Sequence, residues 1–381
     1  LGGVKMNIKT YLILFIITLA PLSGCLEEAP EETEECFTLP SGHEDDGKLR
    51  ILTYDVLALT DSMISDFENS TGIEVIFNKE SDSGGILDQM MLTKNAQQAD
   101  LMIGLDNSYL QTAIDNCLLR ETLFTQNPQY QNISTSALEP YSGNLAIPFD
   151  QGTVCLNYDE NFVDGTNVTT PTSLWNLTES QWEGKTVFPS PLSSSPGRAF
   201  MISTIDYFNN DGDPTTDAFD WWKAMKDNGA IFTSGWSEAY ETHYTGGYGE
   251  YTVGHIGDAH LTVSYCHSPG VEAYYSSNWT HSTSLNLPRS SFHQIEYTGI
   301  INGAANIAGA ELFIEYLLSD AINSQMPENN LMYSVIDGYD LPETDGFRYH
   351  SDIANQPVDT PISTVNLEME SWLENWKSST Q

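Results

Sequence analysis

Leu49-Arg50-Ile51-Leu52-Thr53-Tyr54 and Ile73-Glu74-Val75-Ile76-Phe77 are short runs rich in β-branched and large apolar side chains, and Asp100-Leu101-Met102-Ile103 is a third. After them come Ser62 to Glu68, Ile86 to Leu92 and Tyr109 to Ile114, which place apolar residues on one side at helical spacing. A strand followed by a helix, three times over, needs crossover connections, so the sheet it builds is parallel and the fold class is α/β. In such sheets a ligand sits outside the carboxyl ends of the strands, and the residues that follow each strand are the candidates for its site.

Farther along, Ala146 to Pro148 and Thr153 to Asn157 read as strands flanking a crossover, Ala218 to Lys226 as a helix and Leu261 to Tyr265 as a buried strand. Ala308 to Leu318 is a strongly apolar helix, Leu367 to Trp376 an amphipathic closing one, and no internal repeat is visible. The length beyond Lys48 exceeds what a single core organises, so two lobes are expected.

At the N-terminus Lys5 and Lys9 precede an apolar run from Tyr11 to Leu22, which ends in Leu22-Ser23-Gly24-Cys25. This pattern reads as an export signal over residues 1–25 with Cys25 as the lipidated residue, and the apolar run is short for about 30 Å of hydrocarbon. Residues 26–47, dense in Glu and Asp with Pro30 and Pro40, show no apolar period and read as a flexible acidic tether. A formal charge of −39 with 14 Lys+Arg argues against nucleic acid and anionic membrane surfaces as partners. It leaves a cationic ligand open, but a coat of surface carboxylates accounts for most of the charge, with a weak steering field for a cation as a by-product. Cys36, Cys117, Cys155 and Cys266 have no metal-like spacing, and in an oxidising exterior they allow three full pairings between which spacing cannot choose. Sequons at Asn69, Asn132, Asn167, Asn176 and Asn278 are compatible with an exported surface.

The post-strand loops specify a chemistry. Tyr54, Trp236 and Tyr265 can stack on a flat ring and face a cation, each desolvated contact contributing about 2 kcal/mol. Asp55, Asp82 and Asp106 can accept hydrogen bonds from a ring amine or balance a fixed positive charge. Ser83 with Gly84, and Ser194 with Ser195, bring hydroxyls and free N–H groups to helix starts, where an anion such as phosphate is favoured. Taken singly, an Asp after a strand serves as well as a helix cap, and Trp236 or Tyr265 as a core anchor.

Leu52 to Asp55, Ala99 to Asn107, Pro148-Phe149-Asp150, Ser194 to Gly197, Gly235-Trp236-Ser237-Glu238-Ala239-Tyr240, Ser264-Tyr265 with Ser268-Pro269, and Met332-Tyr333 follow one another in a familiar order. In order and approximate spacing the chain resembles the thiamine-binding periplasmic proteins of ABC transporters, from Leu49 to Trp376. The resemblance implies a two-lobed periplasmic-binding-protein fold of type II, each lobe a mostly parallel sheet flanked by helices. Lobe 1 would comprise 48–151 and 287–345, lobe 2 residues 152–286, and 346–381 a C-terminal segment with the closing helix. It implies a monomer that takes thiamine, its monophosphate or its diphosphate, needs no cofactor, and delivers its ligand to a membrane permease. Hinges are expected around Asp150 to Thr153 and Phe292 to Thr298. Carried over residue by residue, the contacts fall on Asp82, Ser83, Ser194, Ser195, Trp236 and the turn Tyr265-Cys266-His267-Ser268, with Tyr54 stacking on the ring. The resembled proteins carry Trp before the Met-Tyr pair. Leu331 stands there in this chain, so one aromatic wall is missing or supplied from elsewhere. Between Tyr240 and Leu261 a longer segment with His243, His255 and His260 is expected to form a surface loop or hairpin.

Two other readings compete. A ferric-ion or anion receptor of the same fold would want paired tyrosines in the cleft, for which Tyr274-Tyr275 is the candidate. An extracellular hydrolase would need a nucleophile elbow or metal motif; neither GxSxG nor HExxH occurs, and Cys266-His267 are poorly disposed as neighbours in a strand end. A carboxylate pair remains open. Asn209-Asn210-Asp211-Gly212-Asp213 resembles part of a calcium loop but lacks its closing Glu.

Overall fold

Strand β3, Leu101–Asp106, is buried along its whole length, as a central strand covered on both faces must be. It lies beside β1, Lys48–Tyr54, which pairs in parallel with β2, Glu74–Glu80. The structure is a computed structural model that describes residues 36–354 and 356–381. The export signal, Cys25 and tether residues 26–35 lie outside the described residues. The helix Asp61–Thr71 starts where the Thr60 side chain accepts from Met63 N, and stops at Gly72, whose φ of 75° is readily adopted without a Cβ.

The sheet runs in the order β2-β1-β3-β9-β4-β7-β5-β6. The other strands are β4 (Ile147–Asp159), β5 (Thr186–Pro189), β6 (Ile231–Thr233), β7 (Leu261–Tyr265), β8 (Ser282–Leu285), β9 (Phe292–Ile300) and β10 (Tyr333–Ser334). Both wings are parallel, β2-β1-β3 on one side and β7-β5-β6 on the other, whereas the centre is antiparallel. The fold is therefore two-lobed α/β with a mixed sheet. The two segments Ala146 to Pro148 and Thr153 to Asn157 are one 13-residue strand rather than two flanking a crossover. A bulge between Pro148 and Asp150 keeps the pairing with β9 on both sides of the proline.

Two hydrophobic cores share this sheet. Ile147 and Phe149 of β4 lie in the first with Ile295, Tyr297 and Ile300 of β9; Val154, Leu156 and Tyr158 lie in the second with Phe292. Strands β4 and β9 thus carry the chain from one core to the other. The second core is dominated by aromatic side chains. Phe188 lies 5.2 Å from Trp222 and 5.8 Å from Phe200 between ring centres, and Trp376 of the closing helix Ile362–Thr380 meets Trp222 at 6.0 Å. Cys155 and Cys266 form a disulfide that joins β4 to the end of β7, one of the pairings that spacing had left open.

Trp222 is fully buried and its indole N–H donates to Thr204 Oγ1 at 2.9 Å. Trp222→Ala is expected to lower unfolding stability by about 3–5 kcal/mol, read from urea denaturation; an unchanged midpoint would show that the aromatic cluster does not hold the second lobe.

Candidate ligand-binding cleft

Between the two cores lies a cleft enclosing roughly 910 Å³ of empty space, part of it open to solvent. Seven predicted residues line it: Tyr54, Asp82, Ser195, Trp236, Tyr265, His267 and Ser268. They come from five separate parts of the chain. Glu296, Asn330, Met332, Tyr240, Tyr248 and Glu272 also line it and were not among the candidates.

Asp82 holds several of these pieces in place. It caps the helix Ser83–Leu92, accepting from Ser83 N at 2.8 Å, and accepts from Ser195 N at 3.0 Å and Trp236 N at 3.4 Å. A second tie runs from Gly84 N to Ser193 O at 3.1 Å. A Cβ at Gly84 would stand 2.4 Å from that carbonyl, so the close approach requires glycine. Burial raises the Asp82 carboxyl above its ordinary range, opposed by the hydrogen bonds it accepts.

Asp106 stands behind the lining. Its Oδ1 accepts from Ser108 N at 2.6 Å and Tyr109 N at 3.1 Å, and the Ser195 hydroxyl donates to Oδ2. Burial pushes it up to about 6, opposed by Ser108. The buried Arg198 lies 3.5 Å over the Tyr109 ring, and its charge pulls the Asp106 carboxyl down. Ser194 caps the helix Ser195–Asn210 through Gly197 N and does not line the cleft, and Ser83 is buried with its hydroxyl donating to Gly104 O. Asp55 is exposed outside the lining, and Cys266 is held in the disulfide. The N–H and hydroxyl donors that the sequence offers to a phosphate are therefore engaged within the protein: Ser83 N and Ser195 N by Asp82, the Ser195 hydroxyl by Asp106, the Ser83 hydroxyl by Gly104 O and Gly84 N by Ser193 O.

The aromatic walls are oriented by hydrogen bonds. Trp236 stacks on Tyr240 at 4.9 Å and 16°, and its indole N–H donates to Ser264 Oγ at 3.0 Å. Tyr240 OH donates to Glu272 Oε1 at 2.8 Å. The Tyr265 hydroxyl accepts from Gln294 Nε2 at 2.9 Å, and Tyr265 N donates to Ser268 Oγ at 3.1 Å. His267 Nε2 donates to Leu331 O at 2.7 Å, which leaves Nδ1 as a buried acceptor without a partner; burial lowers this imidazole to about 4, so it is neutral.

The segment from Tyr240 to Leu261 is more than a surface loop. Tyr240 and Tyr244 are fully buried, Tyr244 OH pairs with Ser282 Oγ at 2.7 Å, and Tyr248 reaches the cleft with its hydroxyl on Glu241 Oε1 at 2.6 Å. An aromatic side chain thus enters from this segment while Leu331 lines the cleft in place of one. Its histidines are dispersed: His243 pairs with Asp258, His255 with Glu241 O and His260 with Thr245. Among the described residues no cluster of three or more His, Cys, Asp or Glu is placed to hold a metal ion. Tyr274 packs on Phe347 and Tyr275 is exposed, so this pair does not face the cleft. In the calcium-like loop, Asp213 Oδ1 accepts instead from Thr215 N at 2.9 Å.

Residues 62–345 match the profile of a family described as bacterial extracellular solute-binding protein. The thiamine-binding periplasmic protein of Salmonella typhimurium strain LT2 is 23% identical over 333 residues, covering 86% of this chain and 92% of that one. A solved periplasmic thiamin binding protein superposes with a TM-score of 0.71 at 22% identity, over 90% of this chain and 99% of that one. A fructose-6-phosphate-bound periplasmic binding protein from Actinobacillus pleuropneumoniae follows at 0.68 and 15%, over 88% and 99%. At these identities the solved structures speak for the fold.

Asp82→Ala would leave amides of three segments without their acceptor. It is expected to lower unfolding stability by roughly 2 kcal/mol or more, and Asp82→Asn by less, because one amide oxygen still accepts. Equal urea midpoints for Asp82→Ala and the unaltered protein would refute the tie.

Proposed function

Because the chain belongs to the bacterial extracellular solute-binding protein family, we propose that its cleft captures thiamine and presents it to the membrane permease of an ABC importer. The observation that carries this reading is the composition of the cleft. Tyr54, Trp236, Tyr240, Tyr248 and Tyr265 surround it, Asp82, Glu272 and Glu296 line it, and among the described residues no Lys or Arg lines it. Such a cavity favours a flat ring bearing positive charge. The thiazolium of thiamine is such a ring, and the Salmonella relative is named for binding that vitamin.

The unphosphorylated vitamin is the preferred form in this reading. A phosphate at the Ser194–Ser195 turn would have to displace Asp82 from Ser195 N or Asp106 from the Ser195 hydroxyl, and it would do so beside further carboxylates. No bond is made or broken in capture. The lobes, for which we take 48–151 with 287–345 and 152–286, close on the ligand by bending at β4 and β9, and the ligand shifts the balance towards the closed form by its higher affinity for it. The protein would act as an exported monomer, tethered to the membrane through a lipid on Cys25.

Titration calorimetry of the purified full-length protein with thiamine, with tryptophan fluorescence in parallel, tests the reading. Saturable binding with quenching is expected, weakened tenfold or more in Trp236→Ala through loss of one desolvated ring contact. Thiamine should bind more tightly than its monophosphate; the reverse order would place a phosphate site at the Ser194–Ser195 turn, and no binding of either would remove thiamine as the ligand.

A further inference from the structure

Three carboxylates stand in register across the middle of the sheet. Asp106 of β3 is paired with Glu296 of β9, and Glu296 is paired with Asp150 of β4. All three are buried, and of the three only Glu296 lines the cleft. Like charges directly opposite one another in antiparallel strands repel, so this row calls for a compensating group.

The surrounding donors account for part of the compensation. Glu296 Oε2 accepts from Tyr54 OH at 2.9 Å and Oε1 from Gln294 Nε2 at 3.0 Å. Asp150 Oδ2 accepts from Asn330 Nδ2 at 2.6 Å, while Asp150 Oδ1 is buried and receives no hydrogen bond from a donor among the described residues. The Asp150 and Glu296 carboxyls lie within hydrogen-bond reach of each other, a contact that attracts only when one of them keeps a proton. The groups facing the pair are Tyr54 from β1, Asp106 from β3, Tyr265 from β7 and Asp82 from the helix start, all acidic or neutral. Among the described residues the buried cation is Arg198, and it sits over Tyr109. Burial, and then the neighbouring carboxylate, raise Glu296 well above the usual range, and burial pushes Asp150 up to about 8.

We propose that Glu296, backed by Asp150, is the counter-ion for the positive charge of the ligand, and that capture expels the proton the two carboxyls share. This deepens the thiamine reading and rests on it for the identity of the cation. The balance is simple: the protonated pair and a cationic ligand give the ionised pair bound to the cation and one proton released to solvent. A cation within the cleft does for the two carboxylates what the proton does in its absence, and the charge of the buried site is the same before and after. Capture is therefore sensitive to pH. Between about pH 6 and 8 the free protein holds the proton and must lose it, so affinity rises with pH, by up to about tenfold per unit for one linked proton. Above the titration of the pair the dependence levels off.

The test is calorimetry of the full-length protein with thiamine across pH 6 to 9, in two buffers of different ionisation heat, which counts the protons released. Up to one proton released near neutral pH is expected, with affinity rising over the same interval. Glu296→Gln should bind thiamine at least tenfold more weakly and release none. Asp150→Asn should leave Glu296 ionised at lower pH, so its affinity at pH 6 should exceed that of the unaltered protein. Thiamine binding with no proton release and a flat pH profile would overturn the counter-ion assignment while leaving the vitamin reading in place. Silence towards thiamine at every pH would remove the vitamin reading, and the same titration with tetramethylammonium then decides: proton release on binding supports the counter-ion, and its absence overturns it. A ligand-free check guards against a misfolded variant. A carboxyl raised by folding favours the native state at low pH and loses that contribution as pH rises from its unfolded value through its folded one, so Glu296→Gln should melt higher than the unaltered protein at pH 8 and not at pH 4.

Discussion

The pairing of β4 with β9 is the constraint on which the rest of the molecule hangs. Both strands serve two hydrophobic cores, so their residues change allegiance along the chain: Ile147 and Phe149 to one core, Val154 and Leu156 to the other. The stretch between belongs wholly to neither. On β4 that stretch begins at Asp150, and across from it β9 carries Glu296, between Ile295 and Tyr297 of the first core, where the cleft opens. On the proposed reading, a ligand bound at this point would touch the two strands at which the lobes bend, which is what a capture protein needs if occupancy is to shift its conformation.

Electrostatics in the cleft is governed by who holds the backbone donors. Helix starts attract anions, but those at Ser83 and Ser195 are satisfied by Asp82 within the protein. The cleft is left with surplus acceptors and rigid aromatic faces. Surface charge, although large, acts through water and is screened beyond about 8 Å at physiological salt; the carboxylates that matter are the few that the fold has removed from solvent and placed in register.

The segment Tyr240 to Leu261 shows how polar sequence becomes wall. Its tyrosines Tyr240, Tyr244 and Tyr248 recur at every fourth position, the first within the wide helical turn Glu238–His243 and the others just beyond it, and are interspersed with Glu, Thr, His and Gly. Each phenol is held by a partner: Tyr240 by Glu272, Tyr244 by Ser282 and Tyr248 by Glu241. Two of those partners come from elements that follow in the chain, so the burial of these rings is a property of the assembled lobe.

The alternation of strands and helices from Leu49 to Ile114, the apolar helix near Ala308 to Leu318 and the cleft residues Tyr54, Asp82, Ser195, Trp236 and Tyr265 were all legible in the sequence, because local periodicity and the rule that sites follow strand ends act over short distances. Ser83, Ser194 and Asp106 were placed in the right loops but turn to cap helices or brace the lining. Which way a side chain turns there depends on which donor arrives from another part of the chain. The disulfide partner of Cys266, the continuity of β4 through Pro148 and the place of Tyr248 were likewise beyond reach. Glu296 is the clearest case: in sequence it is one acid among 53 Asp+Glu. Only the register of β3, β9 and β4 sets it between Asp106 and Asp150, and only burial turns that arrangement into a demand for positive charge. Sequence determined the elements and the kinds of side chain at their ends; tertiary structure decided which of them meet out of water, where hydrogen bonds and charge are no longer exchanged cheaply with solvent.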